Sequence, residues 1–254
     1  GSSCIATGPL LLPTAIWESM FPDGAAYEAL KGFLEPYVCR AVSMQDGHIL
    51  NLGCSTGTFC SELLQHHSVS RVTFLDVSDQ AVTKMLREHA GDSRVHCEVC
   101  DWRALDQSHD HHGSVSVVLD YGALDAMSRG DQFAVLRGVE QMIKHPYGCF
   151  VSVSFATPGR VIMLRHVAAE LGLELRLRMV PLLTERRLVA VMGPSFTDIA
   201  NVEDETTTEG LDQLLYKAAL FHEPCVSFRS APLSQPITVE QEAEKARGKD
   251  GDDV

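Results

Sequence analysis

The feature that most constrains this chain is a repeated alternation of short apolar runs with amphipathic stretches, which begins at "HILNLG". A first strand there gives way to a helix over Thr58 to His66. "RVTFLDV" is a second strand, followed by a helix from Ser78 to Ala90 that Ser78 can cap. "RVHCEVC" reads as a third strand and "HGSVSVVLDYG" holds a fourth. Asp131 to Ile143 reads as a helix, "GCFVSVSF" as a fifth strand, and Arg160 to Leu171 as another helix. "LELRLRMV" and "RRLVAVMG" end the pattern with only "PLLTE" between them, a spacing that suits an antiparallel hairpin and not a crossover. The pattern predicts an α/β fold: a Rossmann-like sheet of six or seven strands, mainly parallel, with helices on both faces and an antiparallel C-terminal hairpin.

Residues 14 to 42 carry a helical apolar set, including Trp17, Met20, Leu30 and Phe33, which Pro22-Asp23-Gly24 breaks into two segments. The expected organisation is a tag remnant and N-terminal arm over 1–13 and one domain over 14–195, including covering helices. An extension over 196–236 packs on the core, and a charged, disordered tail occupies 237–254. With 254 residues, 45 % of them hydrophobic and 22 % charged, the chain can bury a substantial core. Its net charge of −13 disfavours general nucleic-acid binding and suits a basic partner. No apolar run reaches the roughly 18 residues of a membrane span, and no signal-peptide pattern follows the first residues. The eight cysteines lie in mostly apolar stretches, as buried thiols of a cytoplasmic, reducing environment would. Cys97 and Cys100 sit in a strand with no second pair at zinc spacing. "DQSHDHHG", with Asp106, His109, Asp110, His111 and His112, reads as a surface loop, so no metal site is expected. Oligomeric state is left open.

In such a sheet a ligand sits beyond the carboxyl ends of the strands. The first strand end gives Gly53-Cys54-Ser55-Thr56-Gly57, small residues that allow close backbone approach before a helix N-terminus. The second places Asp76 where a carboxylate can accept both hydroxyls of a ribose. The third gives Asp101, which can accept from an adenine amine, and Trp102, which can meet the base. The fourth is "VVLDYGALDAM", where Asp120 and Tyr121 emerge toward the reacting end of a ligand. The turn lacks a full G-x-G-x-x-G, since Ser55 and Cys60 replace the second and third glycines, so nicotinamide chemistry is disfavoured. No [DN]-P-P-[YFW] follows the fourth strand, which disfavours amide or adenine methylation.

This order of motifs resembles class I S-adenosylmethionine-dependent methyltransferases over residues 14 to 195. "YEALKGFLEPYV…HILNLGCSTGTF", "VVLDYGALDAM" and "VSVSFATPGR" are similar to the methyltransferase-like group that contains elongation factor 1A lysine methyltransferases. The D-x-G-x-L-D-A match, from Asp120 to Ala126, is the most specific of the three. The resemblance implies S-adenosylmethionine as cofactor and S-adenosylhomocysteine as product. It puts Gly53, Cys54 and Gly57 at the methionine part, Asp76 at the ribose, and Asp101 with Trp102 at the adenine. Asn51, Ser55, Thr58 and Val77 line the same groove, Trp17 covers it, and Asp120 and Tyr121 flank the methyl group and the nucleophile. The group usually has Asp at Asn51, Gly at Ser55 and Arg at Met20. The implied acceptor is a protein lysine in a basic segment. The rivals are a small-molecule methyltransferase or polyamine-synthase-like enzyme, and a non-catalytic binding module.

Overall fold

A computed structural model of the chain describes residues 23–43, 47–54, 64, 69–107, 111–182, 185–196, 211, 213, 214, 216 and 217. Helix α1 (Asp23–Ser43) leads into β1 (His48–Leu52), and β2 (Arg71–Asp76), α2 (Asp79–Glu88) and β3 (Val95–Val99) follow. The second half runs β4 (Val117–Tyr121), α3 (Arg129–Met142), β5 (Cys149–Phe155), α4 (Pro158–Leu171), β6 (Glu174–Leu182) and β7 (Glu185–Gly193). These strands form one sheet in the order β3-β2-β1-β4-β5-β7-β6. Neighbours from β3 to β5 pair in parallel, whereas β7 is antiparallel to both β5 and β6. The chain moves outward from β1 to β3 and returns on the other side of β1 as β4. The strand order therefore reverses between β1 and β4, and their carboxyl ends open a crevice there.

Side chains alternate across the sheet with period two. Ile49, Val72, Phe74, Val117, Leu119, Val151 and Val189 face α1 and α2, where Leu30, Leu34, Val38 and Met85 cover them. Leu50, Leu52, Leu75, Val118, Phe150, Leu188 and Ala190 face the opposite layer, where Val135, Val139, Leu164 and Val167 of α3 and α4 complete the packing. The central strands are apolar on both faces because helices cover both, as a parallel sheet requires. At the edge, β3 is only half covered, and Val99 remains 55 % exposed.

The helix starts follow local chemistry. The Ser78 hydroxyl accepts from Ala81 N–H at 3.4 Å, as its place before α2 predicts. Ser128 caps α3 by accepting from Asp131 N–H. Helix α4 begins two residues earlier than the apolar pattern predicts, because Thr157 accepts from Arg160 N–H and Pro158 occupies a position where a missing N–H costs nothing. Gly172, at φ 66°, ends that helix in the left-handed conformation. The 3₁₀ turns Trp102–Gln107 and Leu124–Ala126 have no period in the sequence to announce them.

Cys54 and Cys149 are buried free thiols, but Cys39 is exposed, contrary to the expectation that the cysteines are buried. His111 also departs from the surface-loop reading: it is 2 % exposed, with its ring 5.6 Å from that of the buried His48. His48 sits where β1 begins, and its Nε2 lies 2.9 Å from the Thr73 hydroxyl. Among the described residues no helix is long and apolar enough to cross a membrane.

Phe150→Ala is expected to lower unfolding free energy by about 3–5 kcal/mol, the usual loss for a fully buried ring. Leu86→Ala, at a side chain 52 % exposed, is expected to stay within about 0.5 kcal/mol. Urea titration of both variants tests the assignment of core and surface.

Candidate active site

Four strand ends converge at the switch point. Directly after β1, Gly53 turns into the left-handed region at φ 76°, and its N–H donates to the Leu75 carbonyl at 2.8 Å. A Cβ on Gly53 would lie 2.7 Å from the Ala123 methyl and 3.2 Å from the Trp102 ring. Only glycine fits both the dihedral and the space. Cys54 follows with no exposed surface. Burial, and then the neighbouring charge of Asp76, push its thiol far above the ordinary range.

Asp76 ends β2 with 7 % exposure. Its Oδ1 accepts from Ser78 N–H at 2.8 Å, and its carbonyl accepts from Cys100 N–H at 2.9 Å, so the residue is tied to β3 as well as to α2. Asp101, at the end of β3, is clasped by Arg103: the guanidinium donates to Oδ1 at 2.9 Å and to Oδ2 at 2.6 Å. That pairing holds the Asp101 carboxyl below its ordinary range. Trp102 is 7 % exposed and packs in the α3–α4 layer with Leu50, Leu52 and Leu105. Its ring lies beneath Gly53, and its indole N–H is buried with no acceptor among the described residues. Asn51 is buried within β1, and Val77 is 36 % exposed.

Beyond β4 the chain turns at Gly122, φ 80°, into the 3₁₀ turn Leu124–Ala126. Asp120 is 1 % exposed, and both its oxygens are engaged inside the protein. Oδ1 accepts from Leu124 N–H at 3.0 Å and Oδ2 from the Ser152 hydroxyl at 2.6 Å, across the β4–β5 pair in which these two residues are partners. The Asp120 carboxyl thereby ties the turn after β4 to β5. Burial pushes its pKa up to about 6, against the opposing pull of Ser152 and Arg160. Tyr121 ends β4 half-buried and packs against the core on the α1–α2 face.

The turn is fastened from its far side too. Asp125 Oδ2 accepts from Phe155 N–H at 2.9 Å, and its Oδ1 accepts from the Arg160 guanidinium. These two charged side chains are 7 % and 5 % exposed. Arg160 also donates to Gln132 Oε1 at 3.3 Å, while Gln132 Nε2 donates to the carbonyls of Leu124 at 2.8 Å and Met127 at 2.9 Å. A buried cation at the first turn of α4 runs against the helix dipole, and Asp125 compensates it. This buried network was missed in the sequence, although the Asp in D-x-G-x-L-D-A and the Arg in "TPGR" were both visible.

Trp17, Ser55, Gly57 and Thr58 lie outside the described residues, as does Met20. Among the described residues no group of His, Cys, Asp or Glu is placed to hold a metal.

The geometry yields two expectations. Asp125→Ala strands the Arg160 charge and is expected to cost about 3–5 kcal/mol in urea unfolding. Folded Asp120 keeps its proton to about pH 6, whereas the ordinary value is 3.8. Its contribution to stability is complete below the lower value and is lost as pH rises through the upper one, a span worth about 3 kcal/mol. The stability difference between wild type and Asp120→Asn is expected to shift by about that amount between about pH 4 and pH 7. Denaturation at both pH values checks it; a constant difference contradicts the assigned shift.

A methyltransferase-domain family matches residues 50–149, the stretch from β1 to the start of β5 that supplies all four strand ends. No curated protein matches the chain. Solved structures share the fold at low identity. The N-methyltransferase NodS of Bradyrhizobium japonicum WM9, in complex with S-adenosylhomocysteine, is 17 % identical with a TM-score of 0.53, over 70 % of this chain and 91 % of that one. The PH0226 protein of Pyrococcus horikoshii OT3 is 17 % identical, with a TM-score of 0.51 over 71 % and 99 %. Geranyl diphosphate C-methyltransferase of Streptomyces coelicolor is 12 % identical, with a TM-score of 0.52 over 67 % and 77 %. Residues 50–149 match a methyltransferase domain, and they lie in a seven-stranded Rossmann-like sheet, the fold of S-adenosylmethionine-dependent methyltransferases.

Proposed function

We infer that the crevice between β1 and β4 holds the cofactor and that the acceptor is a protein lysine in a basic segment. The observation that carries the cofactor position is Asp76, a nearly buried carboxylate fixed at the end of β2 beside the glycine turn of β1. The residues present fit S-adenosylmethionine. The missing Cβ at Gly53 lets backbone approach, Asp76 accepts ribose hydroxyls, and the buried indole N–H of Trp102 beneath the turn is a donor in want of an acceptor. Trp17, Asn51, Ser55, Gly57, Thr58 and Val77 complete the proposed lining. Asp101 contributes at the adenine end, shared with Arg103.

When bound, the cofactor supplies an electrophilic methyl group for in-line transfer. The protein's part is alignment and exclusion of water. Asp120 acts through the turn it braces, and Tyr121 flanks the acceptor from that turn. A lysine must arrive neutral, although its ordinary pKa is near roughly 10.4. An enclosed, apolar surrounding favours the neutral amine. Two features support lysine: the resemblance of 120–126 and 151–160 to the elongation factor 1A lysine methyltransferase group, and the net charge of −13, which suits a basic segment. A small-molecule acceptor is the second reading, favoured by the activity named for the geranyl diphosphate enzyme of the same fold.

Calorimetric titration with S-adenosylmethionine is expected to show binding, and Asp76→Ala is expected to weaken it by about 1–3 kcal/mol. No heat at high micromolar ligand sinks the cofactor assignment, and an unchanged affinity in Asp76→Ala misplaces the ribose. Incubation with methyl-labelled cofactor and cell lysate is expected to label a protein band. Label confined to the small-molecule fraction favours the second reading.

A further inference from the structure

The strand-end carboxylate of Asp76 has a protein partner that the sequence assigned elsewhere. Cys54 follows the left-handed turn of Gly53, and the Gly53 N–H bond to the Leu75 carbonyl brings the ends of β1 and β2 together. Leu52 pairs with Leu75, so Cys54 and Asp76 leave adjacent strands side by side. The Cys54 side chain has no exposed surface, and its thiol lies close enough to the Asp76 carboxylate for that charge to raise its pKa. Ser78 N–H holds Oδ1 of the same carboxylate at 2.8 Å, and Cys100 N–H holds the Asp76 carbonyl at 2.9 Å.

We propose that Cys54 is a positioning residue for the cofactor ribose: its thiol, with the Ser78 N–H, fixes the Asp76 carboxylate in the rotamer that receives the ribose hydroxyls. The proposal rests on S-adenosylmethionine being the cofactor. Burial, followed by the charge of Asp76, drives the Cys54 thiol far above its ordinary range. The group is therefore a donor throughout the neutral pH range. It is not a nucleophile, because the thiolate is the reactive form. A thiol is a weak donor, but a carboxylate held by two donors on different strand ends loses little orientational freedom when a ligand arrives, and preorganisation of this kind raises affinity. The small side chain serves a second end, since it fills the space beneath the turn without displacing Gly53.

A positioning role and a packing role differ in one readout, discrimination between ribose and deoxyribose. The test measures by calorimetry the affinities of S-adenosylhomocysteine and its 2′-deoxyribose analogue for the full chain and its variants. Wild type is expected to prefer the ribose form. In Cys54→Ala, and in Cys54→Val, which fills the space without a donor, that preference is expected to fall about threefold or more. Cys54→Ser keeps a donor and is expected to retain the preference. Equal weakening of both ligands in Cys54→Ala and Cys54→Val, or no change in either, overturns the proposal while leaving the cofactor assignment intact. Wild-type protein that binds neither ligand overturns the cofactor assignment and the proposal with it.

Discussion

The hydrogen bond from Gly53 N–H to the Leu75 carbonyl is the contact on which the rest of the site depends. It holds the end of β1 against the end of β2 while a φ of 76° turns the chain out of the sheet. Ala123 and the Trp102 ring close on the space where a side chain would stand. One glycine thus gathers three strand ends: Asp76 beside it, Trp102 below it and the β4 turn across from it. The parallel order of β3, β2, β1, β4 and β5 is what sends those ends to one edge. A sheet with the same residues in antiparallel order would scatter them.

The end of β4 is built on a different principle. There the chain buries charge and satisfies it. Asp120 and Asp125 each receive a backbone N–H, from Leu124 and Phe155 respectively, and Ser152 and Arg160 complete their coordination. Gln132 joins α3 to the same turn through two carbonyls. Buried charges with full sets of partners resist displacement, because removing any one partner leaves another group desolvated. The turn after β4 is accordingly tied to β5, α3 and α4.

The sheet was legible because its strands are covered on both faces and therefore apolar on both, and because a five-residue connection leaves no room for a crossover between the last two. The place of Asp76 was legible for a similar reason: a carboxylate directly after Phe74 and Leu75 has to stand at a strand end. The direction of side chains was not legible. Asp120 and Ser152 are 32 positions apart and meet only through the β4–β5 register, so nothing local marks Asp120 as a brace. Trp102 packs with Leu50 and Leu105, and Cys54 joins the core on the α1–α2 face. His111 was misplaced because a run of histidines and aspartates looks solvated, yet one ring of the run is buried against His48. Local composition defines elements well and the inward or outward choice of single polar side chains poorly.

The measurement that tests the central claim most directly is a crystal structure of the chain with S-adenosylhomocysteine. The account predicts the ribose hydroxyls within hydrogen-bond distance of the Asp76 carboxylate and the ligand lying across Gly53. Ligand density elsewhere on the sheet, or a ribose that makes no contact with Asp76, would contradict it.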